Sequence, residues 1–482
     1  MYRDLREFLD KLEKLGDLVK VKKTIEDGHE IFSIIWELNN IKGPAVLFEK
    51  VKGFDIPVVG NIFGTVDRFA LACGFPQGRP VKEYRDLFRE RLKKEHWAKP
   101  KKVDKGPCKE VILKGEEIDL TRFPILQWHP MDGGKYITMP IVITKDQKFG
   151  VNASFYRMMI HDKRTTGIMC NIFQDIGIHL GRAIKEGRDY LECAVAIGAD
   201  PSIYEAAATK LPIYDNELCF AASFRGGQPI DVVKCETVDL EVPAHAEIVL
   251  EGRISVKERR AEGPFGEWTG YFEEQMMLPI FEVQCVTHRK DPLYLMTTEG
   301  HYANDDGIMR MISQITTFTD SALKNITGCV DAWIPQSARN YITVVAIKKR
   351  YPGWGKVAIY QAFALPFIAS SSNCVIVVDD DIDPSDMDQV LWAVATRVDP
   401  SQDIIVTPPI GGYPLNPAAS HRLFEFNTTR CTDISICSRW GVDATIKMEG
   451  EGNRSRPPVI PVRPMREMWE KVKRNWKEYG FK

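Results

Sequence analysis

Residues 258–271 read Glu258-Arg259-Arg260-Ala261-Glu262-Gly263-Pro264-Phe265-Gly266-Glu267-Trp268-Thr269-Gly270-Tyr271. The Gly-Pro-Phe-Gly core can bend sharply, because glycine tolerates positive φ and proline fixes its own. Such a bend carries Glu262 and Glu267 into one pocket from opposite sides, and two carboxylates in unlike environments can divide acid and base roles. The same residues also fit a surface turn flanked by solvated glutamates. Taken alone, the stretch leaves both readings open.

Upstream, Asn152-Ala153-Ser154-Phe155-Tyr156-Arg157 falls on a predicted strand, with a neutral oxygen donor five positions before a permanent cation. Strand alternation puts 152 and 157 on opposite faces, so a shared site requires a bulge or turn between them. Asp215-Asn216-Glu217, just after Pro212, offers a carboxylate to a hard cation. Around these motifs the strand-like segments 137–144, 150–159, 230–233, 246–251 and 281–288 are bounded by Gly and Pro and predict a mostly antiparallel β domain. Helices are expected at 176–184 and 203–209, with His179 a surface or capping residue.

Farther out the period changes. Leu5, Phe8, Leu9, Leu12 and Leu15 keep helical spacing and Gly16 supplies the stop, so a helix opens the chain and a strand at 18–21 follows. Short apolar runs at 45–48 and 57–59, with helical stretches at 31–38 and 81–97, predict an N-terminal α/β domain. It ends in a lysine-rich exposed connection, 99–109. After Gly300 the pattern is again α/β: strands at 341–347 and 374–378, helices at 358–365 and 387–398. The tail, 465–479, is a basic amphipathic helix expected to pack on a neighbouring domain or subunit rather than on lipid. The expected division is 1–110 N-terminal α/β, 111–300 central, 301–330 a linker helix region, 331–460 C-terminal α/β and 461–482 a terminal helix.

With 482 residues the chain needs neither disulfides nor metal to build its cores. Its 64 Lys plus Arg against 66 Asp plus Glu leave no basic excess for coating nucleic acid or anionic lipid, so small-molecule chemistry is expected. Eleven cysteines form no CxxC pair and are read as buried thiols in a reducing compartment. No secretory h-region and no run of ~18 apolar residues occurs, so a cytoplasmic protein without a membrane span is expected. GxGxxG after a strand, GxxxxGK[ST], GxSxG and HExxH are all absent, and the nine histidines hold no metal-ligand spacing. The Gly-Gly pairs 133–134, 226–227 and 411–412 are read as turns.

Together the order Asn-xxxx-Arg, a Glu shortly after a Pro, EGPFGE with a following T-G-Y, and SRWGVDATIK at 438–447 resembles the UbiD family of prenylated-flavin-dependent decarboxylases. The resemblance runs nearly end to end, through YRDLREFLDKLEKLGDL at 2–18, GADP at 198–201, VKCETVDLEVPAHAEIVLEG at 233–252 and VVDDDIDPSDMDQVLWAVATR at 377–397. It implies an α/β multidomain fold: an N-terminal α/β domain, a central split β-barrel that holds the flavin, and a C-terminal α/β oligomerisation domain.

It also implies a reaction, since losing CO₂ from an aromatic or α,β-unsaturated acid leaves electrons that no side chain can accept. The family carries out reversible non-oxidative decarboxylation through a covalent adduct with prenylated FMN, on acids and on some aromatic thioesters. Matched residue by residue, Glu267 is the implied proton donor, with Arg157 and Glu262 balancing its charge. Asn152, Ser154, Phe155, Tyr156, Arg157, Gln174, Glu217 and Arg439 are the implied cofactor residues.

Asn152, Gln174 and Glu217 are the implied ligands of a divalent metal, Mn²⁺ first, with Mg²⁺ or Fe²⁺ as substitutes. Gln174 departs from the usual histidine, and its carbonyl oxygen implies a harder site. Ala208, Thr209, Leu211 and Glu217 match a potassium site, beside which Lys210 fits only with its side chain turned away. Glu299-Gly300-His301-Tyr302 and 423–426 match the substrate wall. The implied partners are a small carboxylic acid, a flavin prenyltransferase that supplies the cofactor, and further copies of the chain in a homodimer or homohexamer. Two alternatives remain: a subunit of a multicomponent aromatic carboxylase, and a non-catalytic scaffold with a degenerate metal site.

Overall fold

The computed structural model describes residues 2–171, 174–419, 421–427, 430–451, 460–462 and 464–481. The opening helix, Leu5–Lys14, starts where Asp4 accepts the Glu7 N–H and stops at Gly16, whose φ of +73° suits a glycine C-cap. It buries Leu5, Phe8 and Leu12 against a sheet whose order is Leu18–Val21, Ala45–Phe48, Val58–Gly60 and Tyr294–Leu295. The fourth strand comes from the far end of the central segment, so the first two units are interleaved rather than strung in series.

The central unit is built on a seven-stranded sheet dominated by one long antiparallel hairpin, Ile248–Glu262 with Met276–His288. Tyr190–Ile197, Ile141–Asp146 and Gly150–Phe155 extend it on one side. Thr165–Gly167 and Val111–Lys114 pair with the hairpin's second strand on the other. Among the described residues no pairing joins the end strands Gly150–Phe155 and Thr165–Gly167, so the sheet stays split and does not close into a barrel.

The C-terminal unit has a sheet in the order Cys329–Trp333, Ile342–Ile347, Cys374–Asp379, Trp440–Asp443, Ile404–Val406. Its three inner strands are parallel and both outer pairings antiparallel. Cys374–Asp379 is buried at every position, as a central parallel strand covered on both faces must be. Between the units runs the helix Asp305–Asn325, capped by Asn304. It is no loose linker: Asp305 accepts the Phe63 N–H at 2.6 Å, and Ile308, Ile312, Ile315 and Phe318 are buried in the shared core.

Several expectations give way to tertiary contacts. The strand expected over 137–144 breaks at Pro140 into Tyr136–Ile137 and Ile141–Asp146, and that over 150–159 breaks into Gly150–Phe155 and Met158–Met159. The helix expected over 81–97 ends at Arg91, and Trp97 turns back to donate its indole N–H to the Arg91 carbonyl while its ring meets Phe220. The lysine-rich connection is not fully exposed: Lys101–Lys102 adds a parallel strand beside Asp231–Lys234, and Cys108 is buried. His179 is buried rather than on the surface, because Thr144 Oγ1 meets its Nδ1 at 2.9 Å. The tail folds as Arg466–Arg474 and a 3₁₀ turn, Trp476–Tyr479, with Trp469, Trp476 and Phe481 exposed.

Candidate active site

The long hairpin folds over at its tip. After Glu262 the chain passes through Gly263, at φ +96°, into a small ribbon in which Phe265 pairs with Glu273 and Gly266 with Phe272. Glu267 opens the turn between these strands; its N–H donates to the Tyr271 carbonyl and its carbonyl accepts the Gly270 N–H. Behind the fold-over runs the loop at 129–134. Asp132 accepts the N–H groups of Gly266 and His129, and the Gly133 N–H donates to the Pro264 carbonyl at 2.7 Å. A Cβ on Gly133 would lie 2.0 Å from the Gly263 carbonyl oxygen, so glycine is there for close approach, not merely for a turn.

Arg157 arrives from the opposite side. The strand ends at Phe155, and the turn that follows removes the alternation that would have put 152 and 157 on opposite faces. Its Nε donates to Glu262 Oε1 at 3.0 Å, one Nη pairs with Glu267, the other with Glu273, and the guanidinium sits 4.9 Å from the Phe265 ring centroid. All four charged side chains are buried. The solvated-turn reading of the two glutamates therefore fails. Burial opposes the Arg157 charge, but Glu267 and Glu262 outweigh it and hold the guanidinium ionised. Burial pushes the Glu262 carboxyl up, against the pull of Arg157.

This cluster forms part of the wall of a cavity of about 310 Å³. Ser154, Phe155, Tyr156, Arg157, Gln174, Ala208, Thr209, Glu217 and Glu267 all line it; Leu211 is buried outside the lining. Its wall includes the first residues of two helices, Asp175–Lys185 and Glu217–Phe224, the second capped by Asn216. Glu217 Oε2 accepts the Ala153 N–H at 2.9 Å, and burial raises the carboxyl to about 8. Gln174 accepts the Asn171 N–H through Oε1. Arg439 is not brought to the cavity: one Nη donates to the Gly411 carbonyl, and its backbone N–H to Thr407. Among the described residues no three His, Cys, Asp or Glu side chains cluster as a metal site; Gln174 lines the cavity, and Asn152 is buried outside its lining.

Another part of the wall is aromatic and charged. Trp268 lies between the guanidinium of Arg310, 5.0 Å from its ring centroid, and the ring of Tyr341, with Tyr413 at 5.6 Å. Arg310 is paired with Asp306, and Glu299 accepts from Asn304 at 3.1 Å. Desolvation and the Asp306 charge push the Glu299 carboxyl well above the usual range. Glu299 lines the cavity as expected, but Gly300, His301 and Tyr302 are not in its lining, and the side chains of residues 423–426 lie outside those described. Four residues escaped sequence reasoning: Glu273, Trp268, Asp306 and Arg310. For Glu273 the available signal was its distance from the Gly-Pro-Phe-Gly bend, which a two-stranded ribbon would fold back onto Phe265.

Three consecutive parts of the chain match family models of the UbiD 3-octaprenyl-4-hydroxybenzoate carboxy-lyase: the N-terminal domain over 9–88, the Rift-related domain over 100–302 and the C-terminal domain over 309–444. The chain belongs to the UbiD family. It is accordingly a carboxy-lyase with the three-domain UbiD architecture. An uncharacterized protein of Archaeoglobus fulgidus is 37% identical over 95% of both chains, and one of Synechocystis is 34% identical over 100% of this chain and 97% of its own. The vanillic acid decarboxylase of Sedimentibacter hydroxybenzoicus, in closed form, superposes with a TM-score of 0.85 at 29% identity over 99% of both chains. The UbiD-class enzyme HmfF of Pelotomaculum thermopropionicum, solved with FMN, gives 0.79 at 32% identity over 95% of this chain and 97% of its own.

Proposed function

We propose that this UbiD enzyme catalyses reversible non-oxidative decarboxylation of a small aromatic or α,β-unsaturated carboxylic acid with prenylated FMN. The observation that carries the reading is the buried Arg157–Glu262–Glu267 cluster in the wall of a cavity whose far end gathers hard oxygen donors and two helix N-termini. HmfF has been solved with FMN and, in an evolved dimeric form, with prenylated FMN, which supports a flavin in this cavity.

The residues fit such a cofactor. Helix N-termini at Asp175 and Glu217 favour a phosphate. The buried Asn152 amide oxygen has no hydrogen-bond partner among the described residues, and with Glu217 it offers the hard donors that Mn²⁺ or Mg²⁺ takes. Thr209, Ala208 and Glu217 line the same cavity, which supports the potassium assignment, and Lys210 Nζ donates to Asp175. Bound there, prenylated FMN supplies the electron sink that loss of CO₂ from an sp² carbon requires.

The chain's own residues then handle protons and position. Trp268 and Phe265 give flat faces against which a planar acid can lie. Glu267 holds the proton that replaces CO₂ on the same carbon, so one C–C bond breaks, one C–H bond forms and no net redox change occurs. Arg157 holds Glu267 in place, and Glu262, whose carboxyl burial raises, balances charge on the shared guanidinium. Glu267 also faces a second chamber of about 440 Å³ lined by Phe32, Trp36, Trp128 and Phe272. Those aromatic walls limit water around the donor.

Glu267→Gln in the cofactor-loaded enzyme tests the assignment. Turnover should vanish while flavin stays bound; undiminished decarboxylation would remove Glu267 from the mechanism. Turnover by the isolated chain also separates this reading from a subunit that depends on other proteins.

A further inference from the structure

The second chamber, of about 440 Å³, differs from the first cavity in charge. Arg157, Lys210 and Arg310 line the cavity, whereas no Lys or Arg is among the described residues that line the chamber. The chamber's acids are Asp132, Glu267 and Glu299. Asp132 accepts two backbone N–H groups, from Gly266 and His129, and His129 Nδ1 accepts the Met131 N–H at 3.1 Å, the arrangement of an uncharged ring. Arg157, against the Phe265 ring, is already shared among three carboxylates. A carboxylate entering the chamber would meet acids and lose its hydration with no cation to replace it.

The rest of the wall is flat and apolar. Phe32 stacks on Trp36 with ring centroids 5.7 Å apart, and His129 packs against Phe32 at 5.4 Å and Phe272 at 4.8 Å. Ser33, Trp36 and Tyr271 in the lining are exposed, so the chamber is open to solvent. Its volume falls within the range of small-molecule sites. Thr138, Phe265, Glu267 and Glu299 line both spaces, which places the chamber next to the carboxyl assigned as proton donor.

We infer that this chamber is a second binding site, one that takes neutral planar arenes, the class of molecule decarboxylation releases, and rejects the carboxylates they come from. The ligand's identity as a product rests on the decarboxylase reading above; the binding itself needs no turnover. Loss of CO₂ removes the charge that holds an acid in the cationic cavity, and the neutral arene then fits the aromatic, cation-free space beside it.

The experiment follows 4-fluorophenol and 4-fluorobenzoate, similar in size but neutral and anionic respectively at about pH 7, by fluorine NMR line broadening on the full chain with and without FMN. The native chain should bind 4-fluorophenol at least about tenfold more tightly than 4-fluorobenzoate once FMN fills the first cavity. Ser33→Trp, which sends an indole into the chamber from an exposed position on the helix Gly28–Asn40, should weaken 4-fluorophenol at least about tenfold while FMN still binds. Trp36→Ala, which removes one wall, should weaken it about two- to tenfold and keeps the test open should Ser33→Trp fold poorly. Equal affinity for the two probes, or 4-fluorophenol binding that neither variant weakens, would overturn the inference. So would no binding of either probe, the chamber then being filled by another copy or segment of the chain. Selective arene binding by an enzyme that decarboxylates no acid would overturn the product identity and the decarboxylase reading, not the site.

Discussion

Glu273 should set the pH at which the site loses its working proton. It is the third carboxylate on Arg157, so replacing it with the isosteric amide, Glu273→Gln, removes one negative charge and little volume. Groups that touch opposite sides of one guanidinium stand about 5–6 Å apart, and at an effective dielectric of ~20 two such charges repel by about 3 kcal/mol. At 1.36 kcal/mol per unit that is about 2 pK units, and sharing of the charge with Arg157 brings the expectation to about 1–2 units. The sign is fixed: burial already raises the Glu262 carboxyl, and with one like charge gone it ionises more readily, so its pKa falls. In a profile of kcat/KM against pH on the cofactor-loaded enzyme, the alkaline limb, which reports loss of the proton on the buried Glu262, should move down by about 1–2 pH units. An alkaline limb that stayed in place or moved up would refute the idea that the three carboxylates share one charge balance.

Two further outcomes follow from the packing. Burial raises Asp305 to about 6, above its unfolded value, so its stabilising contribution is complete below about pH 4 and is lost as pH rises through 6. Asp305→Asn removes that dependence, and urea unfolding should show the variant gaining about 2–3 kcal/mol on the native chain between pH 4 and 7. Gly133→Ala forces a Cβ against the Gly263 carbonyl and should cost about 1–3 kcal/mol in thermal unfolding while lowering kcat, because the displaced loop carries Glu262 and Glu267.

Residues whose placement is encoded locally were legible in the sequence. Arg157, Glu262 and Glu267 lie in compact motifs, and the structure brings these three together as the resemblance implies. Residues 374–378 announced a strand by their unbroken apolar run, and the structure makes it a buried, parallel one. What escaped depends on register. Glu273 stands beside Glu274 and reads as a solvated acidic pair until the ribbon sets it opposite Phe265. Asp175 reads as an acid that complements a helix N-terminus, a sufficient local explanation that hides its place in the cavity wall. His179 shares a helical face with Ile176 and Ala183, and its Nδ1 meets Thr144, a partner 35 residues away that no local pattern reveals. Lys101–Lys102 has the composition of a linker, yet its backbone completes a sheet edge that side chains do not advertise.

The central claim is that this cavity holds prenylated FMN together with a divalent metal. The most direct measurement is mass spectrometry of the small molecules released from the protein after anaerobic co-expression with a flavin prenyltransferase, with metal analysis of the same sample. The account predicts about one prenylated FMN and one divalent ion per chain, consistent with the hard oxygen donors of the site. A folded sample that released neither would contradict it.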